Sequence, residues 1–121
     1  MIIVDTSVWI EHFRRPNSTL VALLERDGLA QHAFVTGELA LGNSADRAAL
    51  VGFLGSLTAA EVCTEGALLE FVERERLGGS GIGFVDAHLL AAAAALGFSL
   101  WTSDKRLHDQ AARLDLLFVP D

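Results

Sequence analysis

Asp5, Glu38, Asp86 and Asp104 are the residues of this chain whose type and setting point to chemistry. Each stands at or just beyond the end of an apolar stretch, where a buried element should begin or stop. Asp5 follows Met1-Ile2-Ile3-Val4, and Glu38 follows Ala33-Phe34-Val35. Asp86 opens an Ala/Leu-rich run, and Asp104 follows Leu100-Trp101-Thr102-Ser103. A carboxylate beside apolar core must find a cation or several donors, because leaving water uncompensated is costly. No Lys or Arg is interleaved among the apolar stretches to neutralise these four, so the pattern points to a bound divalent metal.

Each acid also has a plainer explanation. Asp5, followed by Thr6-Ser7, can simply cap a helix, and so can Asp104; for either one alone this explains the residue as well as a site does. Glu38 can be an exposed helix residue. Asp86 is harder to explain that way, since Phe84, Val85, Ala87 and Leu89 leave it little surface. One shared cause accounts for all four better than four coincidences.

The donor set narrows the choice of metal. His12, His32, His88 and His108 show no pairing typical of zinc, and the single Cys63 cannot build a thiolate site. All-oxygen ligands favour Mg²⁺ or Mn²⁺. His88 lies about 200° round a helix from Asp86 and reads as a packing or surface residue. Thr6 and Ser103 flank the first and last acids as candidate hydrogen-bond donors to the carboxylates or to water around a metal, although ordinary cap or turn roles explain each of them better. Asp109 is expected to face solvent.

These side chains must be positioned by regular elements. Residues 1–4 read as a short buried strand, followed by a helix from Ser7 to near Arg15-Pro16. Asn17 or Ser18 caps a second helix, which stops at Asp27-Gly28. Residues 33–35 are expected to form a second strand, followed by a short helix through residues 38–41. Further helices are expected from Ser44 or Asp46 to Gly55, over 64–77, over 84–96 with Gly97 as its end, and over 104–112. Strands are expected at 99–102 and 116–119. Residues 78–83, Gly-Gly-Ser-Gly-Ile-Gly, read as a flexible joint and lack the spacing and trailing Lys of a phosphate-binding loop. Strands alternating with helices predict a three-layer α/β/α fold around a mostly parallel sheet. In such sheets sites form beyond the carboxyl ends of the strands, and Asp86 would join them from the first turn of a helix.

At 121 residues, the chain 1–121 is expected to be a single domain. With 51% hydrophobic and 21% charged residues it is globular rather than disordered. One cysteine precludes an internal disulfide and suits a reducing compartment. The N-terminus carries no basic region before its apolar residues and is too short and acidic for a signal peptide. The longest apolar run, Leu89 to Phe98, is about half of the ~20 residues that span a bilayer. A soluble cytoplasmic protein with no membrane association is expected. The net charge of −7 lowers the expectation of a nucleic-acid partner, yet a carboxylate-rich site can bind phosphate through its cation. The basic residues fall in local pairs, Arg14-Arg15, Arg74 with Arg76, and Lys105-Arg106.

Taken in order, four segments resemble PIN-domain ribonucleases, and among them the VapC-like toxins of bacterial type II toxin–antitoxin modules. They are Val4-Asp5-Thr6-Ser7-Val8-Trp9-Ile10, Gly37-Glu38-Leu39-Ala40-Leu41-Gly42, Gly83-Phe84-Val85-Asp86-Ala87-His88-Leu89-Leu90-Ala91, and Leu100-Trp101-Thr102-Ser103-Asp104-Lys105-Arg106-Leu107. The resemblance implies a PIN-like fold and an acidic catalytic quartet, with Asp5 and Asp86 as the direct Mg²⁺ (or Mn²⁺) ligands. It implies hydrolysis of RNA phosphodiester bonds with water as nucleophile. It also implies a homodimer and a cognate antitoxin whose C-terminal segment covers the cleft. Arg14, Arg15, Lys105 and Arg106 are candidate phosphate contacts. Trp9 and Phe13 are candidates for an antitoxin groove or dimer face, with core packing as the default.

Two other functions fit parts of the sequence. A metal-dependent phosphohydrolase acting on small phosphoesters also places an Asp after its first strand, but here no second Asp stands two residues on. A non-catalytic partner-binding module would retain the fold, but would not need all four acids.

Overall fold

The computed structural model describes Met1–Asp121. Four strands and seven helices follow one another as β1 (Ile2–Val4), α1 (Thr6–Arg14), α2 (Ser18–Glu25), β2 (Leu29–His32), α3 (Ala33–Ala40), α4 (Arg47–Gly55), β3 (Thr58–Ala60), α5 (Glu65–Arg74), α6 (Phe84–Leu96), β4 (Ser99–Trp101) and α7 (Lys105–Arg113). The sheet has the order β3-β2-β1-β4, and every pairing is parallel. Successive residues of a strand face opposite sides of a sheet, yet Ile3 and Val4, Leu29 and Ala30, and Leu100 and Trp101 are all buried. Both faces are therefore covered by helices, which is the three-layer α/β arrangement.

The strand order decides where a site can form. The chain runs outward from β1 to β2 and β3, then crosses to the other side of β1 to lay down β4. The reversal leaves a crevice beyond the carboxyl ends of β1 and β4, the topological switch point at which open α/β sheets bind ligands. Val4 pairs with Trp101 in register, and the Asp5 N–H donates to the Trp101 carbonyl at 2.9 Å. Asp5 and the segment leading to Asp104 thus emerge side by side.

Local signals explain most helix boundaries. Asn17, Asp46 and Thr64 cap α2, α4 and α5 by accepting from the N–H three residues on. α6 is buried from Ala87 to Ala93 and packs on β4, β3 and α5. It ends at Gly97 with φ 70°, a left-handed conformation that glycine adopts at little cost.

Two expectations from the sequence are corrected, and one strand is added. The second strand is Leu29–His32, while residues 33–35 form the first turn of α3. His32 is the reason the strand stops there: its Nδ1 accepts the Phe34 N–H at 3.1 Å and caps the helix. The polar Gln31 and His32 hid a strand that is buried along its whole length. The edge strand β3 was not foreseen, because Thr58-Ala59-Ala60 is small and half exposed. Finally, residues 116–119 form no strand but a single parallel bridge, Leu100 to Leu117. No helix is long and apolar enough to cross a membrane.

Candidate active site

Asp5 takes the N-cap position of α1, yet its carboxylate makes no capping bond. It is buried, and its Oδ2 accepts the Thr102 hydroxyl at 2.7 Å and the Ser7 hydroxyl at 2.7 Å. Thr102 Oγ1 in turn accepts the Asp104 N–H at 3.0 Å, and Ser7 Oγ accepts the Ser103 N–H at 3.1 Å. This network spans the β1/β4 crevice, and the Thr102 hydroxyl links the Asp5 carboxylate to the Asp104 backbone. Asp104 does cap α7, its Oδ1 accepting from the Leu107 N–H at 2.9 Å. Glu38, half-way along α3, accepts the Thr6 hydroxyl on Oε1 at 2.6 Å. Asp86, in the first turn of α6, accepts the Gly83 N–H on Oδ2 at 3.4 Å.

The four acids share a pattern. Each commits one oxygen to a protein donor and makes no hydrogen bond through the other. None joins any of the three ion pairs in the chain. The Asp86 carboxyl is pushed up to about 6 from its ordinary 3.8 by burial first and then by Asp5, with smaller contributions from Asp104 and Glu38 against the Gly83 hydrogen bond. The three other acids all push in the same direction, and no protein cation is among the groups acting on this carboxyl. No three Asp, Glu, His or Cys side chains close into a ready-made metal cage. A hard divalent cation fits this set: the free donors are all oxygen, negatively charged, and oriented by anchored partners.

The supporting residues foreseen from the sequence divide. Thr6 holds Glu38. Ser103 takes part through its backbone N–H, and the hydroxyl work falls to Thr102 and Ser7. Both had been visible as Ser/Thr beside an acid, but nothing local told which would turn inward. Among the basic residues, Arg14 borders a cleft of about 630 Å³ together with Glu38, Ile10, Phe13, Leu39 and Leu50. This cleft reaches the quartet only at Glu38. Lys105 pairs with the solvent-facing Asp109 at 3.0 Å, Arg106 donates to the Gly81 carbonyl at 3.3 Å, and the Arg15 side chain is exposed.

The histidines lie apart from this chemistry. His88 is buried, with its ring edge-on to Phe34 and Phe84. His32 is fully buried and its pKa falls to about 4, through burial first and then the neighbouring His88. Both are neutral packing groups at physiological pH.

A PIN-domain profile matches residues 2–113. Ribonuclease VapC32 of Mycobacterium tuberculosis, in strains CDC 1551 / Oshkosh and ATCC 25618 / H37Rv, is 47% identical over 108 residues, which is 88% of this chain and 87% of that protein. Among solved structures, FitAcB from Neisseria gonorrhoeae superposes with a TM-score of 0.62 at 21% identity over 93% of this chain and 94% of that one. PAE2754 from Pyrobaculum aerophilum gives 0.60 at 19% identity over 94% of each. At such identities these two structures establish the shared fold.

Proposed function

The chain belongs to the PIN-domain family, and from that premise we propose that it is a ribonuclease, hydrolysing RNA phosphodiester bonds as the toxin of a toxin–antitoxin pair. The whole chain, residues 1–121, acts as one PIN-like domain. The observation that carries this reading is the quartet itself: four carboxylates at the switch point, each with one oxygen anchored and one free. The 47% identity to a ribonuclease supports RNA as the substrate class.

Asp5 and Asp86 would hold the divalent cation, Mg²⁺ or Mn²⁺, with Glu38 and Asp104 completing the cleft. Such a cation, when bound, offsets charge on the phosphate and makes water acidic enough to act as the nucleophile. The chain's own residues do the rest. Ser7 and Thr102 fix the Asp5 carboxylate through Oδ2, and its second oxygen, which makes no hydrogen bond, would be the one offered to the cation. Thr6 keeps Glu38 turned towards the same cleft. Arg14, Arg15 and Lys105 lie on exposed surface, where they can meet backbone phosphates of a long substrate. The net charge of −7 makes the cation essential for phosphate approach. A cytoplasmic location is the setting in which such a toxin would meet its RNA.

The partner is a cognate antitoxin, and the cleft along α1, α3 and α4 is its docking site. Ile10 is 41% exposed and Phe13 49%, and both line this cleft beside Glu38. That combination fits a segment with apolar side chains and an Arg that enters the acidic site. Removing the antitoxin's basic tail should restore cleavage, and undiminished inhibition without it would rule out this mode. A homodimer is the expected assembly, to be checked by light scattering. A small-phosphoester hydrolase is disfavoured, because the residue two after Asp5 is Ser7, whose hydroxyl is held by the Asp5 carboxylate.

The deciding experiment is cleavage of a mixed structured RNA pool in Mg²⁺ or Mn²⁺, beside an EDTA control and the Asp5→Asn variant. Cutting that disappears in both controls is expected. Turnover of small phosphoesters but not RNA, or RNA binding with no cutting in either metal, would overturn the proposal.

A further inference from the structure

The Arg106 side chain lies against the glycine-rich loop that leads into α6. Gly81 in that loop has φ 88°, and a Cβ built there would stand 3.1 Å from Arg106 Nη1 and 3.2 Å from its Cδ. Nη1 donates to the Gly81 carbonyl at 3.3 Å. Two residues later comes Gly83, the N-cap of α6, whose N–H is the anchoring donor to Asp86. At its other end, Arg106 is the second residue of α7, the helix capped by Asp104. One side chain therefore joins the backbone segments that present two of the four acids.

We propose that Arg106 is a positioning residue, strapping the Gly78–Gly83 loop to α7 and so setting the place of Asp86 relative to Asp104. This inference rests on the metal-binding reading of the quartet. The loop needs such a tie. Four of its six residues are glycine, Gly79 and Gly81 both have positive φ, and glycine gives up the most backbone freedom on ordering. Within the loop itself the backbone bond is Ser80 N–H to the Leu77 carbonyl at 3.1 Å. A planar guanidinium, lying flat where any side chain on Gly81 would intrude, suits the contact better than a flexible ammonium. Its charge is not among those acting on the Asp86 carboxyl, so it works through the backbone rather than by neutralising the acid.

The test is Mn²⁺ affinity of the full chain without RNA, by calorimetry, for the parent, Arg106→Ala, Gly81→Ala and the double variant. A phosphate contact would not alter this quantity. Arg106→Ala should weaken Mn²⁺ binding about tenfold, as loss of a group that orients a ligand does. Gly81→Ala should weaken it at least as much, since the methyl meets the guanidinium and alanine is strained at φ 88°, and the double variant should be no worse than Gly81→Ala alone. Thermal melts of all four proteins accompany the titrations, and the exposed Arg106 leaves Arg106→Ala folded. Parent-like Mn²⁺ affinity in Arg106→Ala, with weakened RNA binding, would overturn the strap and leave the metal site standing. A parent that binds no Mn²⁺ would overturn both.

Discussion

Replacing Asp86 with Asn should stabilise the fold while destroying the activity, and the stabilisation should depend on pH. In the folded chain the carboxyl is pushed up from 3.8 to about 6, by burial and by the three neighbouring acids. Unfolding removes both causes, so the unfolded chain gives up this proton at the ordinary value. Between the two values the folded state holds a proton that the unfolded state has lost. The associated stability is complete below pH 3.8 and is lost as pH rises through about 6. A displacement of this size corresponds to about 3 kcal/mol. Asp86 is only half-buried, and solvent screening reduces the figure to about 1 kcal/mol. Asn is nearly isosteric, stays neutral, and still accepts from the Gly83 N–H. In chelator at about pH 7.5, Asp86→Asn should therefore be more stable than the parent by about 1 kcal/mol, with the gap shrinking by more than half at about pH 4. Urea unfolding followed by the fluorescence of the buried Trp9 and Trp101 reads this directly. Added Mn²⁺ should raise the stability of the parent and leave that of the variant unchanged, because only the parent retains the ligand. An amide variant less stable than the parent at about pH 7.5, or a gap indifferent to pH, would refute the reasoning.

Three further outcomes follow from the same contacts. Thr102→Val removes a buried hydroxyl bonded to a carboxylate and should cost about 2 kcal/mol, lowering the melting temperature by several degrees; an unchanged melt would show that Ser7 alone suffices. Asp104→Asn preserves a preferred cap and should match the parent in stability, whereas Asp104→Ala should lose about 1 kcal/mol. Both should cut RNA at least about tenfold more slowly, and activity surviving in the amide variant would reduce Asp104 to a cap. Arg14→Gln should weaken RNA binding equally across sequences and lower the salt slope by about 1. A loss confined to some sequences would make Arg14 a specificity contact instead.

The sequence by itself determined the four acids, most of the helices and the burial of α6. Those properties rest on short-range physics: a cap acts over three residues, helical periodicity over one or two turns, and Gly97 stops a helix through its own φ. Whether Asp5 was a cap or a site residue was open at that level, since both roles put an Asp after β1. The tertiary structure brings Thr102, 97 residues away, within 2.7 Å of the carboxylate, which makes no capping bond. The register of β1 on β4 made that contact, and no local signal encodes register. The same reason explains why Thr102 and Ser7, rather than Ser103, became the partners of Asp5. It also explains why β2 was misplaced: Gln31 and His32 read as polar, and only the packing of both sheet faces shows that they are buried.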